Sequence, residues 1–404
     1  MIGSQNTGIL GDLRVLEIGH GVSAPYAALN FAKLGAEVVK IESLEGDPSR
    51  THGPFPDGIA HKEKSALFLA HNHGKKSICL DLDTSYGQQK LESMFSHFDL
   101  VVENQNLGFF DDRKLGFEKT SSINPSLIWT SILPFGDVGP YSEYIADDLV
   151  LFHMSGNAHG MIGPVKRPDV EPAIRAGGYQ AEMVAGITAS TAAMVAIHQR
   201  LKTGRGCRIV VSGLDSMITM AISGIANSAF GQPPPTRELS KEKGSSIGGM
   251  VSAIGGVLKC SDGYVAISPR EDAQWERWLE LMGNPHWADD ERFATRESRQ
   301  ANVSKLWELL TEWSFPRSKF DIARSGQEKR IPCFPVNTIE DLLVDRHLDS
   351  RDFFVEISHS GAGTLLHPGL PYKLNNADIP QSMSSAPGLG EHTQEILERF
   401  TKDG

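Results

Sequence analysis

Glu182 is the residue in this chain best placed for covalent chemistry. It stands before an uncharged stretch, 183–197, rich in Ala, Gly, Ser and Thr, which closes on Arg200, Lys202 and the stop signal Thr203-Gly204-Arg205-Gly206. That pattern predicts a helix. A carboxylate at its first turn lies near the positive end of the helix dipole, which favours the charged form, and an ionised carboxylate in a partly dry cleft is a nucleophile. The small residues let such a helix pack close to other backbone. Asp147-Asp148 is a second acidic pair, read either as acid/base groups or, the favoured reading, as a helix N-cap and its neighbour.

Gly19-His20-Gly21-Val22-Ser23-Ala24 follows a strand and matches the dinucleotide pattern G-x-G-x-x-A, with Glu42 where a ribose-binding acid would sit. Pro25 comes directly after it and has no N–H to offer a pyrophosphate. The turn is therefore expected to bind something else, and an NAD(P)-dependent oxidoreductase is kept as a rival. Arg50, Lys75-Lys76 and Arg113-Lys114 are candidate anion-binding groups, with an exposed Arg capping a local turn as the alternative for Arg50 and solvated charge for the two lysines. His20, His153 and His198 are isolated, and none is assigned acid/base chemistry.

The elements that must position these groups alternate. Strand patterns at 14–18, 35–41, 77–82, 99–102, 127–132 and 207–211 are separated by helix patterns at 25–34, 88–98 and 183–201, which implies a parallel sheet covered on both faces. Around Gly231-Gln-Pro-Pro-Pro235 the regime changes to a linker and loop. A hairpin at 256–267 and helices near 274–282 and 303–313 then read as a smaller α+β lobe. The Pro-rich segment from Ile331 onward reads as extended chain with short helices. The expected division is 1–225, 226–330 and 331–404.

With 404 residues the chain exceeds the roughly 250–300 at which single cores stop growing, so more than one domain is expected. A net charge of −11 argues against nucleic acid as the partner. Cys79, Cys207, Cys260 and Cys333 show no paired spacing, which suggests neither zinc nor a disulfide framework. The first residues lack signal-peptide character, and no apolar run is read as reaching the roughly 18 to 20 residues of a membrane span. A cytoplasmic protein with no membrane partner is the expectation.

Taken in order, the motifs resemble the class III CoA-transferases, the group of formyl-CoA transferase, carnitine CoA-transferase and the α-methylacyl-CoA racemases. The resemblance spans nearly the whole chain. It is carried by the stretch from Leu34 to Glu42, by Gly46-Asp47-Pro48-Ser49-Arg50, by N-x-x-K-x-S-I-x-L-D from Asn72 to Asp81, and by Val102-Glu103-Asn104. Leu115-Gly116-Phe117, Gly139-Pro140-Tyr141, Thr203-Gly204-Arg205-Gly206 and Leu389-Gly390-Glu391-His392-Thr393 continue it. It implies an α/β fold with a large Rossmann-like domain made of both chain ends, a small α+β domain between them, and an interlocked homodimer.

The same resemblance implies an aspartate nucleophile, whose place falls on Glu182, with Gly186 four residues later as in the family's D-x-x-x-G. It places CoA contacts on His20, Val22, Ser23, Ala24, Arg50, Lys75, Asn104 and Arg113, and the glycine loop that shields the intermediate on Gly248-Gly249. Ser43 stands where a basic residue often binds the nucleotide end, and Gln105-Asn106-Leu107 replaces an aromatic and R-P-G run. The racemase branch would have a histidine at Asp147. The expected activity is transfer of CoA from an acyl-CoA to a carboxylic acid through a covalent Glu182 intermediate, with no metal. Backbone N–H groups at the start of the Glu182 helix and in the Gly248-Gly249 loop are expected to stabilise oxyanions. A CoA-ester racemase and a non-catalytic acyl-CoA binding protein are the alternatives.

Overall fold

The structure, a computed structural model, describes residues 8–161, 174–232, 256–269, 271–380 and 382–401. The chain divides into two compact units. The larger comprises Met1–Asn157, Arg175–Ala221 and Arg346–Gly404; the smaller comprises Ala158–Ile174 and Ile222–Asp345.

The larger unit is built on six strands: β1 (Arg14–Ile18), β2 (Glu37–Glu42), β3 (Lys76–Cys79), β4 (Leu100–Glu103), β5 (Ile128–Leu133) and β6 (Arg208–Ser212). They lie in the order β3-β2-β1-β4-β5-β6, and every pairing is parallel. This is the doubly wound order, in which the chain reverses direction across the sheet between β1 and β4 and leaves a crevice at their C-terminal ends.

Alternation along β1 shows why both faces are covered. Val15 joins an apolar cluster with Ala24, Ala27, Ala28 and Phe31 of the first helix (Ser23–Ala32) and with Ala185, Ala189 and Ala193 of the long helix (Gln180–Thr203). Leu16 joins the opposite cluster, with Leu91, Met94, Phe95 and Trp129 and with Ile396 and Phe400 of the last helix, Thr393–Phe400. The C-terminal segment therefore completes the core that the N-terminal strands begin.

The long helix nonetheless has the length and mean hydropathy of a membrane span, because Ala, Val, Ile and Met carry the average across the Gly, Ser and Thr that interrupt any apolar run. In the fold it packs on the first helix and on β5 and β6. Gly186 makes the closest approach: a Cβ there would lie 2.7 Å from the Ser23 carbonyl oxygen and 3.4 Å from the Ala27 nitrogen.

The smaller unit has a three-stranded antiparallel sheet, β7 (Gly256–Cys260), β8 (Gly263–Ile267) and β9 (Cys333–Pro335), over a core around Trp275, Trp278, Leu306 and Leu310. Because β9 pairs with β8, this unit extends past the expected boundary at residue 330. Beyond it, the segment expected to be extended chain forms an antiparallel hairpin, β10 (Phe354–His359) and β11 (Gly363–Pro368), which belongs to the larger unit.

Candidate active site

Glu182 lies half-buried in the first turn of the long helix. Its carboxylate faces the β1–first-helix turn, close enough for the Ser23 and Val22 backbone groups to favour its charged form. Those two groups begin a helix whose N-cap, Val22, has no side-chain cap, so its positive dipole end is left to favour an anion. Gly21 leaves the approach open: its φ is +70°, and a Cβ there would come within 3.8 Å of Glu182 Oε2. Burial pushes the Glu182 carboxyl pKa up and the Asp148 charge adds to this, while the Ser23 and Val22 backbone groups pull it down; the net shift is upward.

Asp148 organises the other side. Asp147 is the N-cap of the Asp148–Met154 helix, where it accepts from the Val150 N–H, whereas the buried Asp148 carboxylate leaves its own helix to cap the long one. Asp148 Oδ1 accepts from the Ala181 N–H (2.7 Å) and the Glu182 N–H (3.3 Å), and Oδ2 pairs with Arg175 Nη1 (2.8 Å). The first donors of the long helix are thus already used.

The turn that faces Glu182 is held from below by buried ions. Lys40 Nζ bridges Glu17 and Asp47 at 2.7 Å each and donates to the Gly19 carbonyl; Lys75 Nζ meets Glu17 (2.7 Å), the Pro25 carbonyl and Asn72. Asp47 in turn accepts from the Gly21 N–H at 3.1 Å. Burial works against the Asp47 charge, yet Lys40 and the Ser49 hydrogen bonds hold its carboxyl far below the usual range. From the β4 side of the crevice, Asn104 accepts from the His20 N–H (2.9 Å) and donates to the His20 carbonyl and Ser23 Oγ. A cleft of about 500 Å³ opens beside this turn at the ends of β1, β2 and β3, lined by Gly19, His20, Ser43, Leu44, Asp81, Asp83, Gln105 and Phe109 among others. Its volume suits a small-molecule ligand.

Residues 10–393 match the model of CoA-transferase family III. The chain belongs to that family. It is similar to a formyl-CoA:oxalate CoA-transferase of Streptomyces avermitilis, with 30% identity covering 96% of this chain and 95% of the relative. A succinate–glutarate CoA-transferase of Agrobacterium fabrum is 28% identical over 96% and 94% of the two chains. A solved CAIB/BAIF family protein from Brucella suis superposes with a TM-score of 0.85 at 30% identity, covering 98% of this chain and all of that one. The protein is therefore a CoA-transferase, an enzyme whose substrates are CoA thioesters.

Within a family III transferase, the expected contact residues divide into two groups. His20 and Asn104 stand at the mouth of the crevice, with the backbone of Val22 and Ser23. The Val22 and Ala24 side chains, by contrast, are buried, so neither offers more than main chain. Arg50 and Lys75 do not present cations to a ligand. Arg50 is fully buried, bidentate to Glu42 (2.7 and 2.8 Å), paired with Glu63 and stacked 3.6 Å over Phe68. Both cations are consumed by the ions that hold the turn and the 42–50 loop. Arg113 stacks 3.8 Å over Phe109 and pairs with Asp83, two residues lining the cleft, which leaves it at the cleft's edge. Gly248 and Gly249 lie outside the described residues.

The dinucleotide rival loses its acid for the same reason. Glu42 is buried and accepts from Arg50, Ser77 Oγ and the Asp47 N–H, with no capacity left for a ribose. The oxyanion donors expected at the start of the long helix are likewise taken by Asp148; the uncapped helix start facing Glu182 is that of the first helix. Sequence reasoning missed Glu17, Lys40 and the second role of Asp148. The signal for the first two was a charge inside each buried strand, Leu16-Glu17-Ile18 and Val39-Lys40-Ile41, because buried charges require partners. Among the described residues, no group of three or more His, Cys, Asp or Glu could hold a metal ion.

Proposed function

We propose that this family III enzyme moves CoA between carboxylic acids through Glu182. The observation that carries the reading is the Glu182 carboxylate set against the uncapped N-terminus of the first helix, at Val22 and Ser23, at the topological switch point. Glu182 attacks the acyl carbon of the donor thioester, the C–S bond breaks, and a mixed anhydride and CoA thiolate form. The thiolate then attacks the Glu182 carbonyl carbon and releases the donor acid, leaving a glutamyl-CoA thioester. The acceptor carboxylate attacks that thioester and expels the thiolate, which takes the new acyl group and regenerates Glu182. Each step divides a difficult exchange into easier ones, and the Val22 and Ser23 donors suit the oxyanions that develop on the glutamyl carbonyl.

The nucleotide end of CoA is assigned to the 500 Å³ cleft, with Arg113 at its edge for a phosphate. Oxalate, succinate and glutarate, the acids in the relatives' names, support dicarboxylates as the substrate class. Exposed Ile187, Met194, Val195 and Leu201 along the long helix support a homodimer that covers them. Four free cysteines support a reducing cytoplasm. The test is to incubate the enzyme with acyl-CoA, trap with hydroxylamine or borohydride, and examine the peptide by mass spectrometry, with Glu182→Ala as control. Modification at Glu182 is expected; turnover with an unmodified Glu182 would end the mechanism.

A further inference from the structure

The charged side chains that press most on Glu182 are two carboxylates, Asp148 and Asp147. An acidic substrate entering here meets repulsion unless a positive charge receives it. Lys40 and Lys75 lie beneath the turn and are wholly committed to Glu17 and Asp47. Among the described residues, Arg175 is a cation joined to the start of the long helix through Asp148.

Its geometry is that of a half-used fork. Nη1 donates to Asp148 Oδ2 at 2.8 Å and to the Gly178 carbonyl at 2.6 Å, and among the described residues Nη2 and Nε have no partner. The side chain is 39% exposed although the carboxylate that orients it is only 5% exposed. A guanidinium fixed at one nitrogen and free along its remaining edge presents two parallel donors, the arrangement that a carboxylate accepts in bidentate fashion.

We infer that Arg175 binds the distal carboxylate of a dicarboxylic substrate whose other carboxylate reacts at Glu182, and so sets the preference for diacids over monoacids. The inference rests on the transferase reading and deepens it. Asp148 then has two linked functions: it fixes the first turn that carries Glu182, and it aims the guanidinium that receives the far end of the acid.

The experiment is a competition. Wild-type enzyme, Arg175→Gln and Arg175→Lys are each given succinyl-CoA with glutarate and pentanoate together, and the ratio of glutaryl-CoA to pentanoyl-CoA is read by chromatography. The donor half-reaction is common to both products and cancels. The ratio is expected to fall about tenfold or more in Arg175→Gln, the effect of losing a charge-assisted pair, with partial recovery in Arg175→Lys. A purely structural role would lower total turnover and leave the ratio alone, which overturns the inference. Calorimetric titration of glutarate into the enzyme with free CoA needs no turnover. Weaker glutarate binding in Arg175→Gln at unchanged CoA affinity supports the assignment; equal glutarate binding, or none by the wild type, overturns it even in a protein that fails to exchange CoA. Absence of exchange by the wild type with any acid would count against the transferase mechanism separately.

Discussion

Gly186→Ala is the sharpest probe of how Glu182 is positioned. The new methyl would lie 2.7 Å from the Ser23 carbonyl oxygen, against 3.4 Å for ordinary contact, so the long helix and the first helix must separate by about 0.7 Å. Glu182 sits one turn before Gly186 and faces the Ser23 and Val22 backbone, so the separation opens the very gap in which the carboxylate is held. A displacement of about 1 Å costs on the order of a hundredfold in rate, and a shift of this size is expected to lower kcat by about tenfold or more. Stability responds less, because Ala gains about 1 kcal/mol of helix propensity over Gly while overpacking costs roughly 1–3 kcal/mol. The net change is about 0–2 kcal/mol. CoA exchange between an acyl-CoA and a free acid, measured beside the urea-denaturation midpoint, separates the two effects. A variant with wild-type turnover would refute the claim that backbone contact at Gly186 sets the attack geometry.

Glu182→Gln is expected to abolish exchange yet raise the denaturation midpoint at pH 7. The folded-state pKa of Glu182 lies above its unfolded value, so folding with the charged form is penalised, and the penalty grows as pH rises from the carboxylate range through the raised pKa; an unchanged midpoint would contradict this. Lys75→Met leaves Glu17 with one cation instead of two and is expected to destabilise by about 3–5 kcal/mol in urea unfolding. A rise in the KM for acyl-CoA at full stability would instead restore Lys75 to the ligand. Buried His73 and His367 have pKa values lowered to about 3 and about 4, chiefly by burial and by a neighbouring histidine. Their contribution to stability is present above pH 6.5 and is lost as pH falls from there toward pH 4. Denaturation midpoints at pH 7, 5.5 and 4 test this, and His73→Phe is expected to flatten the slope.

How much was legible in the sequence follows from what kind of interaction carried each feature. Residues 14–18 already read as a strand, and the alternation of strands with helices already implied a parallel sheet, because apolar periodicity is a local property. The β10–β11 hairpin was visible in the same terms, as alternation in Phe354-Val-Glu-Ile-Ser-His359 before the glycine turn at Gly361 and Gly363, but the surrounding prolines masked it. Arg50 and Lys75 illustrate the opposite case. A cation beside glycines has the same appearance whether it meets a phosphate or a buried carboxylate, and Glu42 and Glu17 become their partners only when β1, β2, the start of β3 and the 48–51 turn are brought together.

The sequence by itself determined the α/β class, the doubly wound beginning of the chain and the place of Glu182 at the mouth of a small-residue helix. Periodicity and helix-end chemistry act within a few residues, and the chain states them directly. Only the tertiary structure decided that the helix start facing Glu182 is that of the first helix, that Asp148 reaches 33 and 34 residues onward to Ala181 and Glu182 to cap the long helix, and that two expected ligand cations, Arg50 and Lys75, are buried on carboxylates. Hydrogen bonds and ion pairs operate at about 3 Å, and no spacing along a chain reports which distant groups will come that close.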